Sequence, residues 1–204
     1  ASPFYLMNFA GNTYNNRIPN DNDMAISNDG QLVSCINSTI WTWDVNSGIN
    51  DYQASLDAFS ASLGIPADKF DPRVMYDPNE DRFIVAFLRG FTDSTSYIML
   101  AFSQTNDPAG AWNFYALPGN PFGTLEWTDY PMISITDDEF FVTGNLLGTG
   151  EPWETGFKQT LIWQCDKSDG YNGDTLTTQL WSGIDFGGKP IRNLRPVKGG
   201  SGLK

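Results

Sequence analysis

The chain has 204 residues, of which 40% are hydrophobic, and its 24 acidic and 12 basic residues give a net charge of −12. An acidic surface repels phosphate backbones and anionic lipid, which argues against nucleic-acid binding and direct membrane insertion. Because the sequence contains no His, triads that use His and zinc sites built from Cys and His are excluded.

Three segments of the sequence align on a leading aspartate. They read DNDMAISNDGQLVSCIN from Asp21, DPRVMYDPNEDRFIVAF from Asp71 and DYPMISITDDEFFVTGN from Asp129, and the leading residues are 50 and 58 positions apart. Each segment predicts an apolar strand, a polar turn and a second apolar strand. The chain therefore contains an internal repeat.

Further strands follow each of these hairpins. IWTWD, YIMLAFS and IWQCD predict third strands, and WNFYAL and LTTQLW predict outer fourth strands. Four antiparallel strands in every repeat are typical of a β-propeller blade; the alternative, a β-sandwich, gives no reason for the repeated Asp. We predict an all-β propeller fold with three four-stranded antiparallel blades, at about residues 20–60, 70–118 and 128–182.

Three blades are too few to close a ring, since propellers have about four to eight. The stretch NLRPV at 193–197 lies where a fourth blade would begin, at about residues 190–204. An open ring exposes a sheet face and an edge. We therefore expect the chain to be part of a larger ring, completed by further blades of the same polypeptide or by a partner chain.

Two other stretches leave alternatives open. Cys35 and Cys165 both lie in predicted strands, where two buried free thiols are favoured over a disulfide bridge. QASLDAFSASLG, at 53–64, has apolar residues at helical spacing, but an outer strand followed by a loop also fits it.

Three stretches resemble secreted bacterial β-propellers of the Bacteroidetes type, which carry a C-terminal domain for type IX secretion. The stretches are FDPRVMYDP from Phe70, AFSQTNDPAGAWNFYALPG from Ala101 and WTDYPMISITDDEFFVTGN from Trp127. The resemblance implies a propeller fold and a location at the bacterial cell surface. It supplies no catalytic residues, because most of that family is uncharacterised.

The stretch TNDPAGAW, at 105–112, is similar to the Asp-box of sialidase-like propellers, Ser/Thr-x-Asp-x-Gly-x-Thr-Trp. It has one inserted residue, and Ala111 replaces the Thr. In those proteins the box is a folding turn far from the active site. We expect Asp107 to accept hydrogen bonds from backbone N–H groups, Gly110 to have a positive φ and Trp112 to pack on the neighbouring blade.

The leading aspartates are the main site prediction. Asp21, Asp71 and Asp129, together with Arg73, would open the innermost strands and point towards the central channel of a propeller. Carboxylates that converge there would bind a cation or a sugar, or catalyse glycoside hydrolysis, which needs only two. The alternative is structural, with each Asp bonded to its entry loop or paired with Arg73.

Calcium is the one cofactor that the sequence offers. The loop DKSDGYNGD is rich in the oxygen ligands that calcium prefers, and its acidic members are Asp166, Asp169 and Asp174. Its spacing departs from an EF-hand, because Gly170 occupies the fifth position and the closing Glu is missing. A hairpin turn between a third and a fourth strand explains the loop equally well.

Aromatic residues in long loops are predicted to stack on a ligand. Trp153, Phe157 and Trp127 lie in or beside the loops GTGEPWETGF and GNPFGTLEWTD, where flat rings next to polar groups suit sugars. For Trp127, which stands two residues before Asp129, packing in the core is favoured.

Three short motifs predict glycosylation. Ser94 and Thr175 are possible O-glycan acceptors, because each follows an Asp and precedes Thr or an apolar residue, a pattern used in the organisms that this chain resembles. Asn37 heads an N-linked sequon, but it lies in a strand hairpin.

Taken together, these patterns predict an exported cell-surface propeller domain that binds a glycan or a surface protein without catalysis. One alternative is a carbohydrate-active hydrolase or lyase that uses the channel carboxylates. Another is a structural component of a large surface or secretion assembly. These functions differ in the side chains that each would require at the channel.

Overall fold

The structure, a computed structural model, describes residues 8–197. These residues form fourteen β-strands, twelve of them in three four-stranded antiparallel sheets, and two short α-helices. The all-β prediction is confirmed. No helix within this range is both long and apolar enough to cross a membrane.

The first sheet is built by successive hairpins, so that its strands pair in chain order. Its strands are β1 (Asp23–Ile26), β2 (Gln31–Ile36), β3 (Thr39–Asp44) and β4 (Ile49–Ser55). Gly30 closes the first turn with a φ of 97°, a conformation that costs little only for glycine.

A helical turn follows the first sheet, so the stretch at 53–64 contains both an outer strand end and a helix. Ser55 accepts a hydrogen bond from the Ala58 N–H and caps α1 (Leu56–Phe59), which leads into a 3₁₀ turn at Ala61–Leu63. Leu56 and Phe59 of α1 are buried against the first two sheets.

The second sheet lies between the other two. Its strands are β5 (Lys69–Asp77), β6 (Arg82–Arg89), β7 (Tyr97–Ser103) and β8 (Trp112–Pro118). Successive side chains of a strand point to opposite faces, and both faces of β6 are buried. Phe83, Val85 and Phe87 face the first sheet, and Ile84, Ala86 and Leu88 face the third. The unbroken apolar run of β6 follows from this double burial.

The third sheet repeats the same order. Its strands are β9 (Glu126–Ile135), β10 (Glu139–Gly148), β11 (Phe157–Asp166) and β12 (Thr178–Trp181). Between β11 and β12 stands α2 (Lys167–Asn172), where the sequence predicted a hairpin turn. A hairpin of β13 (Asp185–Phe186) and β14 (Lys189–Pro190) follows the sheet.

The innermost strands of the three sheets are neighbours, with β1 against β5 and β5 against β9. Each has a non-glycine residue with positive φ near its start: Asp21, two residues before β1, at 45°, Asp71 within β5 at 52° and Tyr130 within β9 at 58°. By backbone conformation Asp71 therefore corresponds to Tyr130 in the third sheet, one residue after the Asp129 on which the sequence alignment was based. Both β5 and β9 have a register shift at this point.

Both cysteines are free and buried, one in each interface between sheets, as predicted. Burial raises the pKa of the Cys165 thiol to about 12 and that of Cys35 further, since the low-polarity interior disfavours a thiolate. These thiols are therefore unreactive core residues.

The Asp-box-like stretch forms a turn with two of its three expected features. Asp107 accepts a hydrogen bond from the Ala109 N–H, and Trp112 packs against the core between the first two sheets. Gly110, however, does not have a positive φ. A Cβ added at Gly110 would approach the carbonyl oxygen of Asp107 to 3.2 Å, a tight contact that a small shift would relieve.

Residues 191–197 cross the third sheet after the last hairpin. Thr143 and Thr160 donate side-chain hydrogen bonds to the carbonyl oxygens of Leu194 and Ile191, at 2.8 and 2.6 Å. No closed ring of sheets is found among residues 8–197. The division into propeller blades, and the fourth blade at 190–204, therefore remain predictions, and residues 198–204 lie outside the described part.

Candidate functional site

The chain forms a cleft of about 570 Å³ at the entry to its innermost strands. The predicted residues Asp21, Asp71, Arg73 and Asp129 all line it, and so does the predicted stacking residue Trp153. These residues come from the segment before β1, from β5 and β9 and from the loop after β10. The cleft therefore joins the two kinds of residue that the sequence separately assigned to a ligand.

A buried asparagine connects the first two aspartates. The Nδ2 of Asn37 donates to Asp21 Oδ2 at 3.1 Å, and Asn37 Oδ1 accepts from the Asp71 N–H at 3.4 Å. Asn37 is 8% exposed, so its amide is held by the fold and cannot act as a free N-glycan acceptor. Asn37, the first residue of the N-linked sequon, thus has a structural role and lines the cleft.

The carboxyl groups of the cleft are electrostatically coupled. Burial, the charges of Asp129 and Asp21 and a hydrogen bond with Asp21 raise the pKa of Asp71 to about 7, although the nearby Arg73 opposes the shift. The pKa of Asp129 is also raised, chiefly by burial, while the Tyr130 N–H and the Arg192 charge lower it. Near neutral pH the cleft therefore holds a carboxyl group that both donates and accepts hydrogen bonds.

Arg73 spans two sheets and does not pair with Asp71, which corrects one of the structural alternatives. Its Nε donates to the Pro131 carbonyl oxygen of β9 at 3.0 Å, and a terminal nitrogen donates to its neighbour Pro72 at 3.3 Å. Asp23 likewise connects the first two sheets, because its Oδ2 accepts a hydrogen bond from the Val74 N–H of β5 at 3.0 Å.

The three predicted stacking residues lie in different environments. Trp153 is 63% exposed and lines the cleft. Trp127 is partly buried against the core between the second and third sheets, as the core alternative expected. Phe157 begins β11 and packs against the guanidinium of Arg192, with 5.5 Å between that group and the ring centroid. Of these three, only Trp153 faces the cleft.

Two further aromatic residues complete the wall of the cleft. Phe91 is 51% exposed and stacks on Phe70 with a centroid distance of 4.4 Å. Tyr130 lies beside Asp129, and its ring is 5.6 Å from the guanidinium of Arg195. Flat rings therefore flank the carboxyl groups.

The calcium prediction gains no support from the geometry of its loop. Asp166 caps α2 by accepting hydrogen bonds from the Ser168 and Asp169 N–H groups, and Asp169 Oδ2 accepts from the Thr177 N–H at 2.8 Å. Asp174 lies beyond the helix. Nowhere in residues 8–197 are three His, Cys, Asp or Glu side chains arranged to hold a metal ion, and this holds for the cleft too.

The two predicted O-glycan acceptors lie on the surface. Ser94 and Thr175 are both exposed, Ser94 in the loop between β6 and β7 and Thr175 between α2 and β12. The structure therefore leaves both hydroxyl groups accessible, and their modification stays a prediction.

Several cleft residues were not identified from the sequence. Asn37 had a visible signal, since the first and third repeats both end in Asn, at Asn37 and Asn145. Asn145 makes the corresponding contact further along the chain, where its Oδ1 accepts from the Asn193 N–H at 3.0 Å. Tyr130 and Phe91 had no repeated signal.

The chemistry available in the cleft is hydrogen bonding by carboxyl groups beside exposed rings. Comparison of the chain with protein-family models, curated proteins and solved structures found no match to any of the three.

Proposed function

We propose that the chain is a section of an exported, cell-surface β-propeller whose cleft binds a glycan without catalysis. The observation that carries this proposal is the convergence of Asp21, Asp71 and Asp129 with exposed Trp153 in one cleft of about 570 Å³. Carboxyl groups bond sugar hydroxyls, and a flat ring covers the apolar face of a pyranose.

The propeller component is supported by the way in which each unit meets the next. Asn37 holds the Asp71 N–H, and Asn145 holds the Asn193 N–H. Asp71 and Asn193 both have positive φ, at 52° and 59°. Residues 193–197 thus meet the third sheet through the contact by which β5 meets the first, as the start of a fourth blade would.

The charge of the cleft favours neutral or amine-bearing sugars over acidic ones. Three aspartates line it against Arg17 and Arg73, and the guanidinium of Arg73 is committed to carbonyl oxygens. An anionic sugar would be repelled by the carboxylates, and the chain as a whole has a net charge of −12.

A glycan array probed with the purified chain, followed by calorimetry on the best ligand, tests the proposal. Trp153→Ala should weaken binding by about tenfold, the loss expected for one stacking ring. Trp181→Ala is the matched control, because Trp181 is 52% exposed but lies outside the cleft. Absence of binding to any neutral or amine-bearing glycan, or equal losses in both variants, would refute it.

A glycoside hydrolase is the second candidate, and the raised pKa of Asp71 favours it. A carboxyl group with a pKa of about 7 beside two further carboxyl groups resembles the arrangement of a general acid and its partner. Release of reducing ends from polysaccharides would then be lost in Asp71→Asn but kept in Asp137→Asn, which removes a carboxylate away from the cleft. Activity should also fall as pH rises through about 7.

A structural role in a larger assembly is the third candidate. An apolar groove of about 420 Å³ lies on the face of the third sheet that points away from the second, lined by Phe141, Ile162, Trp181 and Pro196. The intact mass of the natural polypeptide decides what covers it. A mass well above 22.6 kDa favours further sheets in the same chain, and a mass of 22.6 kDa favours a partner chain.

A further inference from the structure

Two arginines near the end of the described chain each hold one aromatic residue of the cleft. Arg192 donates to the carbonyl oxygens of Trp153 at 2.6 Å and Glu154 at 3.2 Å. Its guanidinium also lies 5.6 Å from the centroid of the Trp153 ring. Arg195 donates to the hydroxyl of Tyr130 and lies over that ring.

The segment that carries these arginines is itself fixed to the third sheet. Asn145 accepts from the Asn193 N–H and donates to its side-chain oxygen, at 3.0 and 2.7 Å. Ser134 donates to the Val197 carbonyl oxygen at 2.7 Å. Asn145, Ser134 and the two threonines that bond the segment are almost fully buried, so residues 191–197 have a defined position from which their side chains reach back to the cleft.

The geometry points to Arg192 and Arg195 as positioning residues that set the aromatic wall of the cleft. The ligand in this inference rests on the proposed glycan-binding function, whereas the positioning of Trp153 and Tyr130 by the two arginines does not. The Trp153 loop is otherwise exposed, and two carbonyl bonds with a ring contact from one planar guanidinium fix both its backbone and its side chain. Arg192 also lies near enough to Asp129 to lower the pKa of that carboxyl group.

The placement of Arg192 requires an arginine rather than any cation. Its two terminal nitrogens bond two successive carbonyl oxygens, while the guanidinium carbon lies 5.6 Å from the centroid of the Trp153 ring and 5.5 Å from that of Phe157. A lysine would keep the charge but lose the planar fork that makes these contacts together. Arg192→Lys therefore separates geometry from charge.

The test uses the full chain labelled with 5-fluorotryptophan, with the ¹⁹F resonance of Trp153 assigned by Trp153→Phe. Arg192→Gln and Arg192→Lys should both shift and broaden this resonance in the absence of ligand. Lys189→Gln, an exposed change in the neighbouring hairpin, and Arg195→Gln should leave it in place. If either Arg192 variant fails to fold, as judged by circular dichroism, the Trp153 resonance is measured in the other variant.

Binding is measured in parallel with the glycan found for the wild-type chain. Arg192→Lys, Arg192→Gln and Arg195→Gln should each raise Kd by a factor on the order of ten, and Lys189→Gln should not. A Trp153 resonance identical to wild type in both Arg192 variants overturns the inference. If the wild-type chain binds no glycan, the proposed function fails, and the ¹⁹F spectra alone decide whether Arg192 positions Trp153.

Discussion

The Nζ of Lys167 lies 2.7 Å from Oδ2 of Asp77, and both side chains are almost fully buried between the second and third sheets. Tyr171 donates to the same carboxylate oxygen at 3.0 Å. The other carboxylate oxygen of Asp77, Oδ1, accepts hydrogen bonds from the Asn79 and Glu80 N–H groups. One aspartate thus closes the β5–β6 turn and binds α2 to the second sheet.

Removing one member of this buried pair should strongly destabilise the fold. Lys167→Met leaves the Asp77 charge buried without its counter-charge, and we expect a loss of about 3–5 kcal/mol in the free energy of unfolding. Urea unfolding measures it. The double variant Lys167→Met with Asp77→Asn should recover part of the loss, and a strictly additive double variant would contradict the coupling.

The stability contributed by Asp71 should depend on pH in the direction opposite to that of most aspartates. Its pKa is about 7 in the folded chain, against an ordinary value of 3.8, so the folded state binds more protons between these values. Stability from this group is therefore complete below about pH 4, falls as pH rises and levels off above about pH 7.

Asp71→Asn isolates this effect, because the amide has the shape of the protonated carboxyl group but does not ionise. The variant should match the wild type near pH 4 and exceed it at pH 8 by about 1–3 kcal/mol, after allowance for solvent screening. Chemical denaturation across this range provides the measurement. A difference between the two proteins that does not change with pH would contradict the raised pKa.

Gly170 is required for space and not for backbone conformation. A Cβ at this position would lie 2.7 Å from carbons of the Phe102 ring, which is fully buried. Gly170→Ala should therefore lower the free energy of unfolding by about 1–3 kcal/mol despite the better helix propensity of alanine. Combining it with Phe102→Leu should relieve the clash, and a neutral or stabilising single substitution would show that α2 can move away from the sheet.

Asn37 and Asn145, which each accept a hydrogen bond from a backbone N–H of a later segment, should have equivalent local effects. Asn145→Ala removes the acceptor of the Asn193 N–H, and Asn37→Ala removes that of the Asp71 N–H. Each change should speed hydrogen exchange at its own partner amide, with a cost of about 1–3 kcal/mol for the buried groups left unpaired. Asn113, which bonds α2 instead, provides a control: Asn113→Ala should leave both amides protected.

The sheets were largely readable from the sequence, because alternation and burial act over a few residues. The unbroken apolar run of β6 indicates that both faces of this strand are buried, and the turn residues between strands mark the hairpins. The convergence of Asp21 and Asp71 followed from their repeated place at strand entries.

The remaining parts of the site depend on contacts between distant positions. Arg192 and Trp153 are 39 residues apart, and nothing in either local pattern pairs them. Within β9 the positive φ falls on Tyr130 and not on Asp129, at a shift in the register with β10 that the sequence alignment did not contain. The short helix α2 was missed because its polar residues also suit a turn.

The contact that Asn37 makes with Asp71, repeated by Asn145 with Asn193, also bears on how such a chain can change length. At these two places the contact comes from the preceding sheet, and it binds a backbone N–H, which any residue except proline supplies. A tandem copy of the first or third sheet would therefore carry its own asparagine contact for the segment that follows it. Gene duplication would then extend the array by a whole sheet while this backbone contact is kept.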